Sequence, residues 1–358
     1  MDSTILLFFQ DFERDTLVRG DRYLKRMMRP LYDRISHRQK VSGFSLWYAL
    51  LVRALTDSGY TVRLNDFDLA RKHPNHPVGL VGYPSILSNW TLPNPAILGP
   101  GLFDHPSLAP TLMNDVRFRC YILTCDWMFD VFQNAYARSN CAKWFAGIDT
   151  VRDWPDLSTH KKTTDVIIYD KIRWNRENLV PQLLTNITSY LSKHGITYEI
   201  VRYGKYDHMT YRSILARSKM MIFLCEHETQ GMAYQEALAS NLPIVAWDPG
   251  FWCDPLCEKL TLGRISTTSV PYFDDRCGAK FACASEFDSV FESVWIALSR
   301  FRPREFVRDR LSLDESARIY SSLYFSAAQN CRMTARTVVP ERGTKEIDGV
   351  ARARQDAE

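Results

Sequence analysis

Two glutamates, Glu228 and Glu236, stand eight positions apart in the run Cys225-Glu226-His227-Glu228-Thr229-Gln230-Gly231-Met232-Ala233-Tyr234-Gln235-Glu236-Ala237-Leu238-Ala239. An ionised carboxylate only accepts hydrogen bonds and can take two or more at once, which suits the neighbouring hydroxyls of a polyol. The residues around the pair say how it would be held. Met220–Leu224 is an apolar, strand-like run, Gln230–Ala239 has helical character, and Leu242-Pro243-Ile244-Val245-Ala246 returns to a strand. A carboxylate in the loop and a second one in the following helix can therefore face one pocket at the carboxyl end of a parallel strand, where open α/β sheets bind ligands. The helix start, Gln230 to Met232, offers backbone N–H groups to an anion.

The same alternation extends along the chain. Val166–Tyr169, Tyr198–Val201 and Ile244–Trp247 are further short apolar runs, and Leu179, Leu183, Leu184, Ile187 and Leu191 form a helical stripe closed by Gly195. Strands and helices alternating at these lengths predict parallel sheets with crossover helices. In the first half Ile5–Phe9 reads as a buried strand, Leu46, Leu50, Leu51, Ala54 and Leu55 as a helix ended by Gly59, and Thr61–Leu64 as the next strand. Residues 150–163 are polar and carry the best linker signal. The chain of 358 residues, with 46% hydrophobic and 13% aromatic content, is long enough for two cores.

Formal net charge is only +4, which gives no argument for nucleic acid as a partner. The basic residues do crowd residues 14–40, where such a patch can meet an anionic lipid surface or acceptor. Nine cysteines at irregular spacings form neither a zinc ribbon nor a redox pair, and they suit a reducing cytoplasm. No His, Asp or Glu cluster has metal-ligand spacing, so no metal is expected. No run approaches a membrane span, so any membrane contact would be peripheral.

Taken together, these motifs resemble the retaining GT-B glycosyltransferases of the large family four. That family carries Glu, seven residues, Glu, then Ala and a small-residue-Pro-Val segment in its second domain. Here Glu228-Thr229-Gln230-Gly231 stands where the family often has Glu-Gly-Phe-Gly. The resemblance implies an α/β GT-B fold of two doubly wound, Rossmann-like domains with an interdomain cleft. The domains implied are 1–150, on the acceptor side, and 151–311, which binds the nucleotide sugar. A helix over 312–330 would return to the first domain; the composition of 331–358, polar and rich in Arg, Glu, Thr and Gly, separately predicts a disordered tail. The activity implied is transfer of a sugar from a nucleotide sugar to an acceptor hydroxyl with retention, without a metal or other cofactor. The partners implied are the donor and a glycan or lipid-linked acceptor. The location implied is the cytoplasm, with contact at the inner face of the membrane.

Residue by residue, the resemblance makes Glu228 the holder of donor-sugar hydroxyls and Glu236 the ligand of the ribose. The family's diphosphate clamp is an Arg with a Lys five residues later; Lys171 and Arg176 have that offset with the cation types exchanged, and Asp170 replaces the family's glycine. Arg173 is a competing cation. Thr229, Gln230, Gly231 and Met232 would line the donor. Gly43, in Val41-Ser42-Gly43-Phe44-Ser45, would lie under the phosphates. His105 would face the donor sugar, as in several relatives. Gly147-Ile148-Asp149 stands at the family's crossover between domains, with Asp149 structural. The loop Tyr203-Gly204-Lys205-Tyr206 is where base selectivity is expected. Two other functions share this architecture: a catalytically silent nucleotide-sugar-binding or assembly module, and a nucleotide-sugar epimerase or hydrolase.

Overall fold

The computed structural model describes residues 3–10, 43–88, 90–261 and 263–329. The basic stretch 14–40 and the polar tail 331–358 lie outside them. The chain divides into two compact units, one of residues up to Leu123, Phe132–Ala146 and Ala317 onward, the other of Thr124–Val131 and Gly147–Ser316. Each is an α/β unit built on one parallel sheet, the fold class expected from the sequence.

The first unit holds β1 (Thr4–Gln10), β2 (Thr61–Leu64), β3 (Val78–Gly82), β4 (Ala96–Leu98), β5 (Phe118–Leu123) and β6 (Cys141–Lys143) in the order β2-β1-β3-β4-β5-β6. Ile5, Leu6, Leu7 and Phe8 are all fully buried. That is what a strand covered by helices on both faces requires, and why it reads as a continuous apolar run. Helix α1 (Gly43–Asp57) follows, with Gly43 as its first residue. Helix α6 (Leu313–Gln329) closes the unit with the part from Ala317. Its Tyr324 hydroxyl accepts from Leu6 N–H at 2.8 Å and donates to the Pro77 carbonyl.

The second unit holds β7 (Thr164–Lys171), β8 (Tyr198–Arg202), β9 (Ser218–Cys225), β10 (Ile244–Trp247) and β11 (Gly278–Phe281) in the order β11-β10-β9-β7-β8. The chain leaves β7 to one side for β8 and returns to its other side for β9. The winding thus reverses between β7 and β9, the position at which such sheets open a crevice. In register, Asp170 stands beside Leu224 and Lys171 beside Cys225. The helices that matter for the site are α3 (His208–Arg217), α4 (Met232–Ala239) and α5 (Pro303–Arg310), with α2 (Asp126–Tyr136) contributing its first residues.

Three local features depart from the sequence expectation. The stripe Leu179–Leu191 is not one regular helix: a π-helical segment, Val180–Thr185, interrupts it. Pro181 lacks an amide N–H and crowds the preceding turn, which favours such a widening. Helix α4 begins at Met232 rather than Gln230, because Gly231 is left-handed at φ +82°. A side chain there would run into the Tyr234 ring, so glycine is needed. Strand β11 has no long apolar run; it is an edge strand whose Lys280 donates to Asp248 at 2.9 Å.

The polar stretch after Asp149 is pinned down. The Asp149 carboxylate, 3% exposed, accepts from the N–H groups of Val151 at 3.0 Å and Arg152 at 2.8 Å and from Arg152 Nε at 2.6 Å. Arg304 of α5 donates to the carbonyls of Thr150 at 2.6 Å, Trp154 at 2.8 Å and Ala239.

Candidate active site

The carboxyl ends of β7 and β9 deliver the charged residues of the second unit to one place. β9 is apolar and fully buried from Met220 to Cys225, and the chain then changes character within one residue to Glu226-His227-Glu228. Lys171, the last residue of β7, donates from Nζ to Glu228 Oε1 at 2.5 Å. Both side chains are nearly buried, at 13% and 10% exposure. Burial is the largest influence and works against the lysine charge, but Glu228, Cys225 and Tyr203 together hold Lys171 above the ordinary lysine pKa. The ammonium also lies 4.5 Å from the centre of the Tyr203 ring, a cation–π contact.

The loop carrying Glu228 is fixed on several sides. Its N–H donates to the Thr268 carbonyl at 3.1 Å, and its own carbonyl accepts from the Trp127 indole at 2.8 Å. The thiol of Cys225 donates to Glu228 Oε1 at 3.5 Å and to the His227 carbonyl at 3.3 Å, and burial pushes this thiol far above its usual pKa. Thr229 is partly buried in the loop. Gln230 is tied to α4 by its carbonyl, which accepts from Gln235 Nε2 at 2.9 Å, and by its amide, which donates to Gln235 Oε1 at 3.1 Å. Gly231 then turns the chain into Met232 and α4.

Glu236, on α4, is 6% exposed and faces His208 at the start of α3, with His208 Nε2 3.6 Å from Glu236 Oε1. Burial raises the Glu236 pKa, and His208 partly offsets it. The carboxylate in turn raises the pKa of His208. Tyr206, from the loop expected to meet the base, hydrogen-bonds Tyr169 between their hydroxyls at 2.7 Å.

The other two cations have different fates. Arg176 is a two-point partner of Asp170, with Nη1 at 2.9 Å and Nη2 at 2.7 Å from the carboxylate oxygens, and Nη1 also reaches the Ile172 carbonyl at 2.5 Å. These bonds raise its pKa and occupy its fork. Arg173 lies over the Trp174 ring at 4.1 Å and donates from Nη2 to the His227 carbonyl at 2.9 Å. Its Nε is 3.8 Å from Glu226 Oε2, an ion pair too long for a hydrogen bond.

Glu226 and His227 were not singled out from the sequence. Their signal was available: two polar residues directly after a strand with no polar residue in its last six positions. Glu226 is fully buried, and its Oε1 accepts from the backbone N–H groups of Arg173 at 2.8 Å and Trp174 at 3.1 Å. Burial raises its pKa. His227, 6% exposed, is stacked on Trp174 with ring centres 5.1 Å apart. Burial, with Arg173 and Lys171 nearby, drives its pKa well below the ordinary value. Arg173 Nε, Glu226 Oε2, His227 Nδ1, Thr267 Oγ1 and Ser269 Oγ are buried without a hydrogen-bond partner. All five belong to the segments that follow β7, β9 and β10. Buried polar groups are nearly always satisfied, so Glu226 Oε2 and Arg173 Nε, 3.8 Å apart with neither hydrogen-bonded, call for an explanation.

Gly43 and His105 lie in the first unit. His105 caps the short helical turn Pro106–Leu108, its Nδ1 accepting from the Ser107 N–H at 3.2 Å, and burial lowers its pKa. Among the described residues no group of three His, Cys, Asp or Glu could hold a metal ion.

No family model and no curated sequence matches the chain. Solved structures do. TarM matches at 12% identity over 72% of this chain and 57% of its own, with a TM-score of 0.47. AviGT4, a glycosyltransferase involved in avilamycin A biosynthesis, matches at 10% identity over 81% and 91%, with a TM-score of 0.48. Sucrose-phosphate synthase from Thermosynechococcus elongatus matches at 10% identity over 92% and 98%, with a TM-score of 0.45. The chain spans little more than half the length of TarM. At these identities the functional reading rests on the chain's own side chains.

Proposed function

We propose that the protein is a retaining glycosyltransferase that moves a sugar from a nucleotide sugar to an acceptor hydroxyl. The observation that carries this reading is the buried Lys171–Glu228 pair at the switch point between β7 and β9, with Glu236 one helix away. A cation and a carboxylate held side by side offer a phosphate partner and a hydroxyl partner to one ligand. Lys171 stabilises the leaving diphosphate, with Arg173 as the second cation. Glu228 accepts from hydroxyls of the sugar, and Glu236 from the ribose. Gln230, Gly231 and Met232 present backbone to the donor. Arg176 acts through Asp170, holding the end of β7 in place. In the transfer, the bond from the anomeric carbon to the diphosphate oxygen breaks as the acceptor oxygen bonds that carbon on the same face. The acceptor proton goes to the departing diphosphate. The protein contributes orientation and charge stabilisation, with no metal in this reading.

The test is incubation of the full chain with UDP-, GDP- and ADP-sugars, with chromatography of the released nucleotide. Slow release that vanishes in Lys171→Ala and Glu228→Gln is the expected result. Failure to bind any nucleotide sugar would sink the reading. One observation favours a second one, a catalytically silent nucleotide-sugar-binding module: both Lys171 and Arg176 already have carboxylate partners within the chain. Tight binding with no release under any acceptor would select it.

In the same reading the protein works in the cytoplasm, and residues 14–40 give a peripheral contact with an anionic membrane or acceptor. Among the described residues no helix is long and apolar enough to cross a membrane. Co-sedimentation with anionic vesicles should be lost on deletion of 14–40; unchanged sedimentation refutes the contact.

A further inference from the structure

The loop that follows β7 has the features of an anion site, and in this structure the anion is part of the protein. The consecutive backbone N–H groups of Arg173 and Trp174 converge on one oxygen, at 2.8 and 3.1 Å, and that oxygen is Glu226 Oε1. The guanidinium of Arg173 stands beside the second oxygen at 3.8 Å without a hydrogen bond. Successive N–H groups with a cation alongside are what a phosphate oxygen would use. Glu226 is fully exposed to none of the solvent, and Oε2 has no hydrogen-bond partner. A carboxylate placed only to brace the loop would gain from satisfying both oxygens, since an unsatisfied buried acceptor costs free energy. This one instead brings a carboxylate beside Arg173, two residues along the chain from Lys171, where the proposed ligand is itself an anion.

We propose that Glu226 is an internal anion that occupies the phosphate-side donors of the 171–174 loop and so sets how tightly a nucleoside diphosphate binds. This rests on the donor-site reading above and deepens it. Its negative charge neutralises Arg173 and repels the diphosphate held by Lys171. The protein therefore binds the spent nucleotide more weakly than its cations alone would allow, which speeds release of the product.

The decisive variant is Glu226→Gln. The glutamine amide oxygen can still accept from the Arg173 and Trp174 N–H groups, so the change removes charge and keeps the brace. Isothermal titration with UDP, GDP and ADP is the measurement. The expected result is a Kd lower by about tenfold in E226Q for the nucleotide that binds the wild type. A purely bracing role predicts an equal or higher Kd, and either outcome overturns the proposal. Should E226Q fail to fold, Glu226→Met, of similar length and without charge, carries the same expectation. Absence of UDP, GDP and ADP binding in the wild type and the variants alike overturns the donor-site reading and this inference with it. Wild-type binding that weakens in the variant overturns the inference alone.

Discussion

The two sheets are wound alike, yet the described residues at their switch points differ in chemistry. In each, the chain passes from the first strand to a neighbour on one side and returns on the other, between β1 and β3 in the first unit and between β7 and β9 in the second. Near the ends of β1 and β3 stand Phe9, stacked on Tyr48 at 4.4 Å, and Gly82 at φ +101°, whose missing side chain leaves room for the Phe9 ring; the residues after Gln10, the last of β1, lie outside those described. Neither Phe9 nor Gly82 is charged. At the end of β7 and β9, by contrast, stand Asp170, Lys171, Glu226 and Glu228. Winding therefore says where a crevice can form and leaves open what it can bind; the side chains at the strand ends decide that.

The largest effect expected from breaking this contrast comes from Lys171→Ala. It leaves the Glu228 carboxylate nearly buried without its cation, which costs about 3–5 kcal/mol. It should also lower donor-dependent nucleotide release by about 100-fold or more. Denaturant titration and the release assay read the two. A variant of unchanged stability would show that the pair is not formed in solution.

Next is Gly82→Val, at the switch point of the first unit. Its side chain would meet the Phe9 ring, where even a Cβ comes within 2.7 Å, and the backbone is left-handed. We expect a loss of about 2 kcal/mol in stability with UDP affinity unchanged. Weakened UDP binding in the folded variant would make the two ends functionally equivalent and dissolve the comparison.

Arg176→Lys is smaller. It replaces a two-point partner of Asp170 by a point charge, at about 1 kcal/mol, and should change UDP affinity by less than about threefold. A loss as large as that of Lys171→Ala would restore Arg176 as a phosphate ligand.

The smallest effect is in His208→Gln, and it is one of slope. Glu236 raises the pKa of His208, so the stabilisation is complete below the ordinary imidazole value of about 6.5 and is lost as pH rises through the higher folded value. Glu236 is itself raised by burial, so its own contribution falls in the same direction as pH increases. Wild-type stability should decline from about pH 6 to 8 more steeply than that of the variant. Parallel curves would rule out the pair.

Much of the second unit was legible because parallel strands buried on both faces need unbroken apolar runs, and Met220–Leu224 and Ile244–Trp247 are such runs. The glutamate pair was legible through its setting, a strand before it and a helix after it. Other features leave weaker traces. The π-helical segment is invisible to periodicity because Leu179, Leu183, Ile187 and Leu191 keep a spacing of four straight through it. Strand β11 hides because an edge strand with an exposed lysine has no apolar signature. Arg176 looked available as a cation because the sequence shows the five-residue offset from Lys171 and not the fork that Asp170 fills. Glu226 was hidden by its neighbour: one glutamate with a ready role drew the reading past another two residues earlier.

The thiol of Cys225 gives the site its own reporter. It is fully buried against Glu228 and held protonated, whereas Cys283 is exposed. An alkylating reagent should therefore mark Cys283 early and reach Cys225 only when the strand end opens. The rate of that second labelling, followed by peptide mass, counts how often the strand end opens without any ligand or substrate having to be known.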